Sequence, residues 1–307
     1  MPQLLDLEFI TVIGKGGVGK TTVTAALALA AAARGKRVLI AMCNVKERLS
    51  WLLEVAPIGP DVRHPMPNVD AVNMTPSHAL AEYGMMILKV RALYHAIFEN
   101  RWVSAFLRGT PGIEAWSMLG KAFWHSSQDL LEDGRRRYDL VILDAPATGH
   151  GLEMLRVPKV LVEVAPPGLL RREAERAWEL FHDAQRAGIA LVTLPEDMPT
   201  SETLELYDIV TRELELPVAS LVVNCTLPRV FDTGERSVIA GLPARLGAGS
   251  ALTSIAAAAR VRALREGMQD DSFARLARIP APRTDLPLLF VPEFRRAAIE
   301  TLAESFR

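Results

Sequence analysis

An α/β fold, built on a doubly wound, mostly parallel sheet with a helical insertion, is what this sequence predicts. Three observations carry the expectation. Short apolar runs recur along the 307 residues, and most are continuous rather than alternating, as in strands buried on both faces. Helix-period stretches lie between them, and that alternation builds a parallel sheet wrapped by helices. Residues 77–133 hold helical spacing and no readable strand, so they stand as an insertion between two strands of one domain spanning 1–307.

In chain order, strands are expected at 9–13, 37–42, 69–73, 140–143, 160–164, 189–194 and 220–224, with a candidate eighth at 288–291. Helices are expected at 23–34, 169–188, 202–214 and 254–277. The proline patch at 57–67 reads as a loop. Within the insertion Tyr83, Met86, Ile87, Val90, Leu93, Tyr94, Ile97 and Phe98 recur at helical spacing, and Trp102, Val103, Phe106 and Leu107 continue the stripe. Pro111-Gly112 breaks it, and Ile113, Trp116, Leu119, Phe123 and Trp124 form a second. Stripes rich in Met and aromatic residues suit either a packed core or an adaptable apolar groove. The last residues, 295–306, form a weakly amphipathic stretch whose acids favour a docked terminal helix over a membrane-surface one.

Composition sets outer bounds. Half the residues are hydrophobic, 23% are charged and the net charge is −1, which suits a soluble globular protein and argues against a general nucleic-acid binder. The two cysteines, Cys43 and Cys225, lie in no metal-ligand spacing, and so few cysteines fit a reducing cytoplasm. The longest apolar run is too short to span a bilayer, so no stable membrane insertion is expected.

The chemistry begins where the first strand ends. Gly14-Lys15-Gly16-Gly17-Val18-Gly19-Lys20-Thr21 matches G-x-x-x-x-G-K-[ST], followed by Thr22 and a helix-forming stretch. Glycines let backbone N–H groups turn toward phosphate oxygens, and the helix N-terminus adds partial positive charge. Lys20 is expected to reach the β- and γ-phosphates and the Thr21 hydroxyl to ligate Mg²⁺. The plain motif does not require Lys15. A second station is the apolar strand that ends in Asp144, which is expected to join the Mg²⁺ shell. The stretch Ala145-Pro146-Ala147-Thr148-Gly149-His150 after it is expected to be a loop that senses the γ-phosphate.

The first motif resembles the deviant Walker A of the SIMIBI class of ATPases. The segment 144–150, followed by Leu155-Arg156-Val157-Pro158, is similar to switch II of the ArsA/GET branch, which includes the arsenite-pump ATPase and the targeting factors for tail-anchored membrane proteins. The resemblance implies that Lys15 reaches across a homodimer, or a paralogous heterodimer, to the partner's phosphates. It implies that ATP and Mg²⁺ are bound, that Asn224 reads the base with Pro292 flanking it, and that the insertion carries an apolar client or a protein partner. One departure bears on rate. The family carries an Asp that handles the attacking water after the second strand, and this chain carries Asn44. An amide orients water but takes no proton, so Lys15, Lys20 and Asn44 as the catalytic set imply slow hydrolysis. Glu47 and Asp61 are alternative bases. The family's metalloid-binding cysteines and Cys-x-x-Cys zinc pair are missing from this chain. The competing expectation is a regulatory switch like MinD/ParA, which recruits a soluble partner with little or no hydrolysis.

Overall fold

The computed structural model describes residues 3–43, 46–88, 112–245 and 252–306. Its centre is one eight-stranded sheet in the order β3-β4-β2-β5-β1-β6-β7-β8. The strands are β1 (Phe9–Gly14), β2 (Val38–Met42), β3 (Arg63–Met66), β4 (Val69–Asn73), β5 (Leu140–Asp144), β6 (Ala187–Thr193), β7 (Val218–Thr226) and β8 (Arg283–Pro287). Every neighbouring pair is parallel except β3 with β4. The expected fold class is therefore the observed one.

Alternate residues of β1 feed opposite faces, as a pleated strand requires. Phe9 and Ile13 join one core with Leu39, Val141 and Leu143, while Ile10 and Val12 join the other with Ile40 and Met42. The second face is covered by α1 (Lys20–Ala33), whose alanines at 25, 26, 28, 30 and 31 are buried and permit close approach to the sheet. The C-terminal helix, Arg296–Ala303, lies on α1 through Ile299 and Leu302. Phe306 joins the same core and its carbonyl accepts from Arg34 at 3.0 Å. The docked reading of the terminal stretch holds.

Among the described residues, the first face is covered mainly by α3 (Pro76–Leu88), α4 (Ile113–Ser127), α5 (Thr148–Val164) and α6 (Leu169–His182), and Leu206 and Leu276 of two later helices join the same core. The short α2 (Leu49–Leu53) follows β2, and α7 (Asp197–Asp208) follows β6 and runs into a π-turn, Ile209–Glu213. The helices α8 (Thr233–Arg245) and α9 (Thr253–Leu276) lie between β7 and β8. No described helix is long and apolar enough to cross a membrane.

Four expectations are corrected. The run 160–164 is the last turn of α5, not a strand. Met154, Val157 and Leu161 are buried at helical spacing while Val160 and Val164 are exposed, so period 3.6 overrides the β-branched composition. Residues 148–150, expected in a loop, are the first turn of the same helix. The eighth strand lies at Arg283–Pro287, before the apolar run 288–291, because an edge strand buries only Leu286 and tolerates polar neighbours. The proline patch holds β3, an antiparallel edge strand, which is where a sheet accepts proline.

Of the insertion, α3 and α4 are described, and the stretch from Val90 to Leu107 lies outside the described residues. The second stripe is core: Ile113, Trp116, Leu119 and Phe123 are buried, and Trp116 meets Tyr83 edge-on at 5.9 Å between ring centroids.

Candidate functional site

The site is assembled at the carboxyl ends of β1, β5 and β6, the edge where open α/β sheets bind ligands. Gly14 ends β1 opposite Val192 of β6. A Cβ there would lie 2.3 Å from the Val192 carbonyl oxygen, so only glycine lets the chain leave the sheet at this point. Gly17 and Gly19 carry φ of +89° and +93°, a left-handed backbone natural to glycine.

The loop folds around its second lysine. Lys20 donates from Nζ to the carbonyls of Gly14 at 3.1 Å and Lys15 at 3.2 Å. Burial lowers the pKa of this ammonium, and the nearby Asp144 charge opposes that shift. Thr21, in the first turn of α1, donates its hydroxyl to Asp144 Oδ2 at 2.6 Å, across 123 positions of sequence. Asp144 is fully buried at the end of β5, paired in register with Val12 of β1 and Met42 of β2. The two predicted stations meet.

Asn224, on β7, is brought to the same loop but by an unforeseen contact. Its Nδ2 donates to the Val18 carbonyl at 2.9 Å, and its Oδ1 accepts from the Cys225 N–H at 3.0 Å. Cys225 sits at φ +61°, where the β7–β8 register shifts between Val223 and Thr226. Gly19 is packed so closely on this amide that a Cβ would lie 2.3 Å from Nδ2. Beside it opens a cavity of about 420 Å³ lined by Leu194, Pro195, Glu196, Cys225, Leu227, Arg265, Met268, Gln269 and Leu288. Gln269 fixes one wall. Its amide accepts from the Leu227 N–H at 2.8 Å and donates to the Leu227 carbonyl at 2.9 Å. Sequence reasoning missed Gln269, because one buried Gln within a helix has no local signature. Pro292 is exposed on the segment after β8, next to Phe290 and Val291, which are exposed as well.

The other predicted residues divide. Ala145 is buried, Pro146 is half-buried and Ala147 caps α5. A Cβ on Gly16 would lie 4.0 Å from the Ala147 Cβ, so the glycine loop and the start of α5 face each other. Thr148 and Gly149 begin α5, and His150 is exposed and pairs with Glu153 at 3.2 Å. Asn44 lies outside the described residues. Glu47 is engaged at the start of α2: its carboxylate accepts from the Ser50 N–H at 2.7 Å and from the Ser50 hydroxyl. Asp61 stands with His78 and Glu82, whose ligand atoms lie within 4.8 Å of one another, but Glu82 is already bonded to the buried Lys121 ammonium. Lys15 is bonded to Glu202 on α7, a contact no sequence signal announced. Burial, reinforced by Asp144, pushes the Cys43 thiol far up.

Residues 7–165, which carry both stations, match the family described as anion-transporting ATPase. The chain belongs to this ArsA-type ATPase family. Among its relatives, the ATPase BagA of Mycobacterium tuberculosis is 31% identical over 233 residues, covering 74% of this chain and 67% of BagA. The arsenical pump-driving ATPase of Acidiphilium multivorum is 27% identical over 262 residues, 76% of this chain but 43% of that protein. The ATPase GET3 of Kluyveromyces lactis is 25% identical over 264 residues, 74% of each chain.

Proposed function

We propose that this chain binds MgATP in the glycine loop, dimerises on it, and hydrolyses it slowly. The observation that carries the reading is the Thr21–Asp144 hydrogen bond beside Lys20. A hydroxyl and a carboxylate in contact at a buried strand end are hard oxygen donors, the set that suits Mg²⁺ with phosphate. Thr21 and Asp144 would hold the ion, which when bound neutralises the β- and γ-phosphate oxygens. Lys20 would exchange its two loop carbonyls for those oxygens, and the loop N–H groups would cradle them. Asn224 keeps the loop in shape through Val18, and its amide has a second N–H and a second lone pair that would meet a purine edge. Pro292 would flank the base. The stretch Ala145, Pro146, Thr148, Gly149 and His150 would couple phosphate state to α5.

Slow turnover rests on Asn44, whose amide cannot act as general base. Replacing it, Asn44→Asp, raises turnover on the order of 100-fold if proton abstraction is what the wild type lacks. Unchanged turnover would sink that part. The dimer is tested by light scattering of the full chain with and without MgATP, and a monomer in both would overturn it. Lys15 would cross to the partner's phosphates in that dimer, which is a homodimer or a pair with a paralogue.

An apolar client on residues 77–133 is the partner reading, and because Ile113, Trp116, Leu119 and Phe123 of α4 are buried in the core, a client face would use other residues of the insertion. The second reading is a nucleotide switch that recruits a soluble protein with little or no hydrolysis. Capture of an apolar tail peptide that rises with MgATP separates the first from the second.

A further inference from the structure

We propose that Glu202 is a latch on Lys15. It holds the extra lysine of the glycine loop within its own chain, so the opening of this ion pair sets how much MgATP is needed to bring two copies together. The inference rests on the nucleotide-driven dimer proposed above and assigns Glu202 as the positioning residue for Lys15.

Both ends of the latch follow from the fold. Gly14 lies against Val192, so the loop leaving β1 emerges beside the segment leaving β6. That segment passes through residues 194–196 and turns into α7, Asp197–Asp208, with Glu202 on the second turn. The ammonium of Lys15 meets the Glu202 carboxylate there, 187 positions away in sequence. The acid is the fixed member. The start of α7 is fastened to α9 by Arg275, which donates to the Asp197 carboxylate and to the Ser201 hydroxyl at 2.6 Å. The Glu202 side chain is 25% exposed and the Lys15 side chain 48%, so the lysine is the member with room to leave.

An ammonium bonded to a carboxylate is withheld from phosphate. To contact a triphosphate in a facing copy, Lys15 must leave Glu202, and each protomer opens one latch. A half-exposed ion pair contributes little, so each latch is worth about threefold and the two together about tenfold in the dimer association constant.

The test is light scattering of the full chain across an MgATP titration, for wild type, Glu202→Gln and Glu202→Ala. Both variants are expected to reach half-dimer at about threefold lower MgATP, with Glu202→Gln matching the wild-type melting temperature. A midpoint that is unchanged or higher in both variants overturns the latch and leaves the dimer standing. No dimer at saturating MgATP in any of the three overturns the latch and the dimer together. Lys15→Ala combined with Glu202→Gln separates the latch from a general change in α7, because the gain must vanish once the lysine is gone.

Discussion

Replacing Gly14 with alanine tests whether the sheet, and not only the loop, shapes the phosphate cradle. The new Cβ would lie 2.3 Å from the Val192 carbonyl oxygen, 3.2 Å from its carbon and 3.1 Å from a Val18 methyl. The oxygen belongs to the β1–β6 ladder and cannot swing aside, so the strands must part by about 1 Å to reach ordinary contact. Overpacking of this kind costs about 1–3 kcal/mol. In a chain of this size about 2 kcal/mol corresponds to roughly 4 °C in melting temperature. The displacement also moves the loop on which Lys20 and Thr21 are hung, and the expected loss of ATP affinity is tenfold or more, since misplacement by about 1 Å weakens a positioned contact strongly. Gly17→Ala is the control. It meets nothing within 4 Å but holds φ +89°, so its cost is about 1 kcal/mol of backbone strain without strand separation. The assay is thermal unfolding and calorimetric ATP titration of both variants. A Gly14→Ala protein that melts with the wild type and binds ATP as tightly would refute the reasoning.

Three further outcomes are expected. Trp116→Ala empties a buried site that Tyr83 contacts edge-on and lowers stability by about 3–5 kcal/mol in denaturant unfolding; a loss under about 1 kcal/mol would return the α4 stripe to the surface. Asn224→Ala strips the Val18 carbonyl of its side-chain donor, costs about 1–3 kcal/mol and weakens ATP more than inorganic triphosphate; equal weakening of both would remove the base from its role. Burial raises the pKa of Cys43 strongly, with Asp144 adding to it, and raises that of Cys225, with Glu196 adding to it. A raised thiol pKa leaves less thiolate at pH 8, so both cysteines should label with a thiol reagent far more slowly in the native protein than in denaturant, and fast native labelling at both would contradict that burial.

How much was legible follows from what each signal measures. The glycine loop and the Asp144 strand were read from spacing alone, because phosphate chemistry needs glycines, a lysine and a hydroxyl at set intervals beside an acid-tipped strand. Their meeting through Thr21 is a consequence of β1 and β5 lying side by side. Residues 160–164 misled because a window of β-branched residues hides the longer stripe Met154, Val157, Leu161. The eighth strand slipped because edge strands do not need apolar runs, and Leu286 is the single buried residue in β8. The Glu202 and Gln269 contacts had no local trace at all: the first joins segments brought together by the β1–β6 pairing, the second folds α9 back on the end of β7, and each is one polar residue within an ordinary helix.

In the proposed function Thr21, Lys20 and Asp144 together receive one MgATP per chain. Calorimetric titration of ATP with and without Mg²⁺, on wild type and Asp144→Asn, tests it most directly. One saturable site per chain is predicted, with affinity that rises on adding Mg²⁺ in the wild type and much less in the variant. Absence of a saturable site in the wild type, or the same Mg²⁺ gain in both proteins, would contradict it.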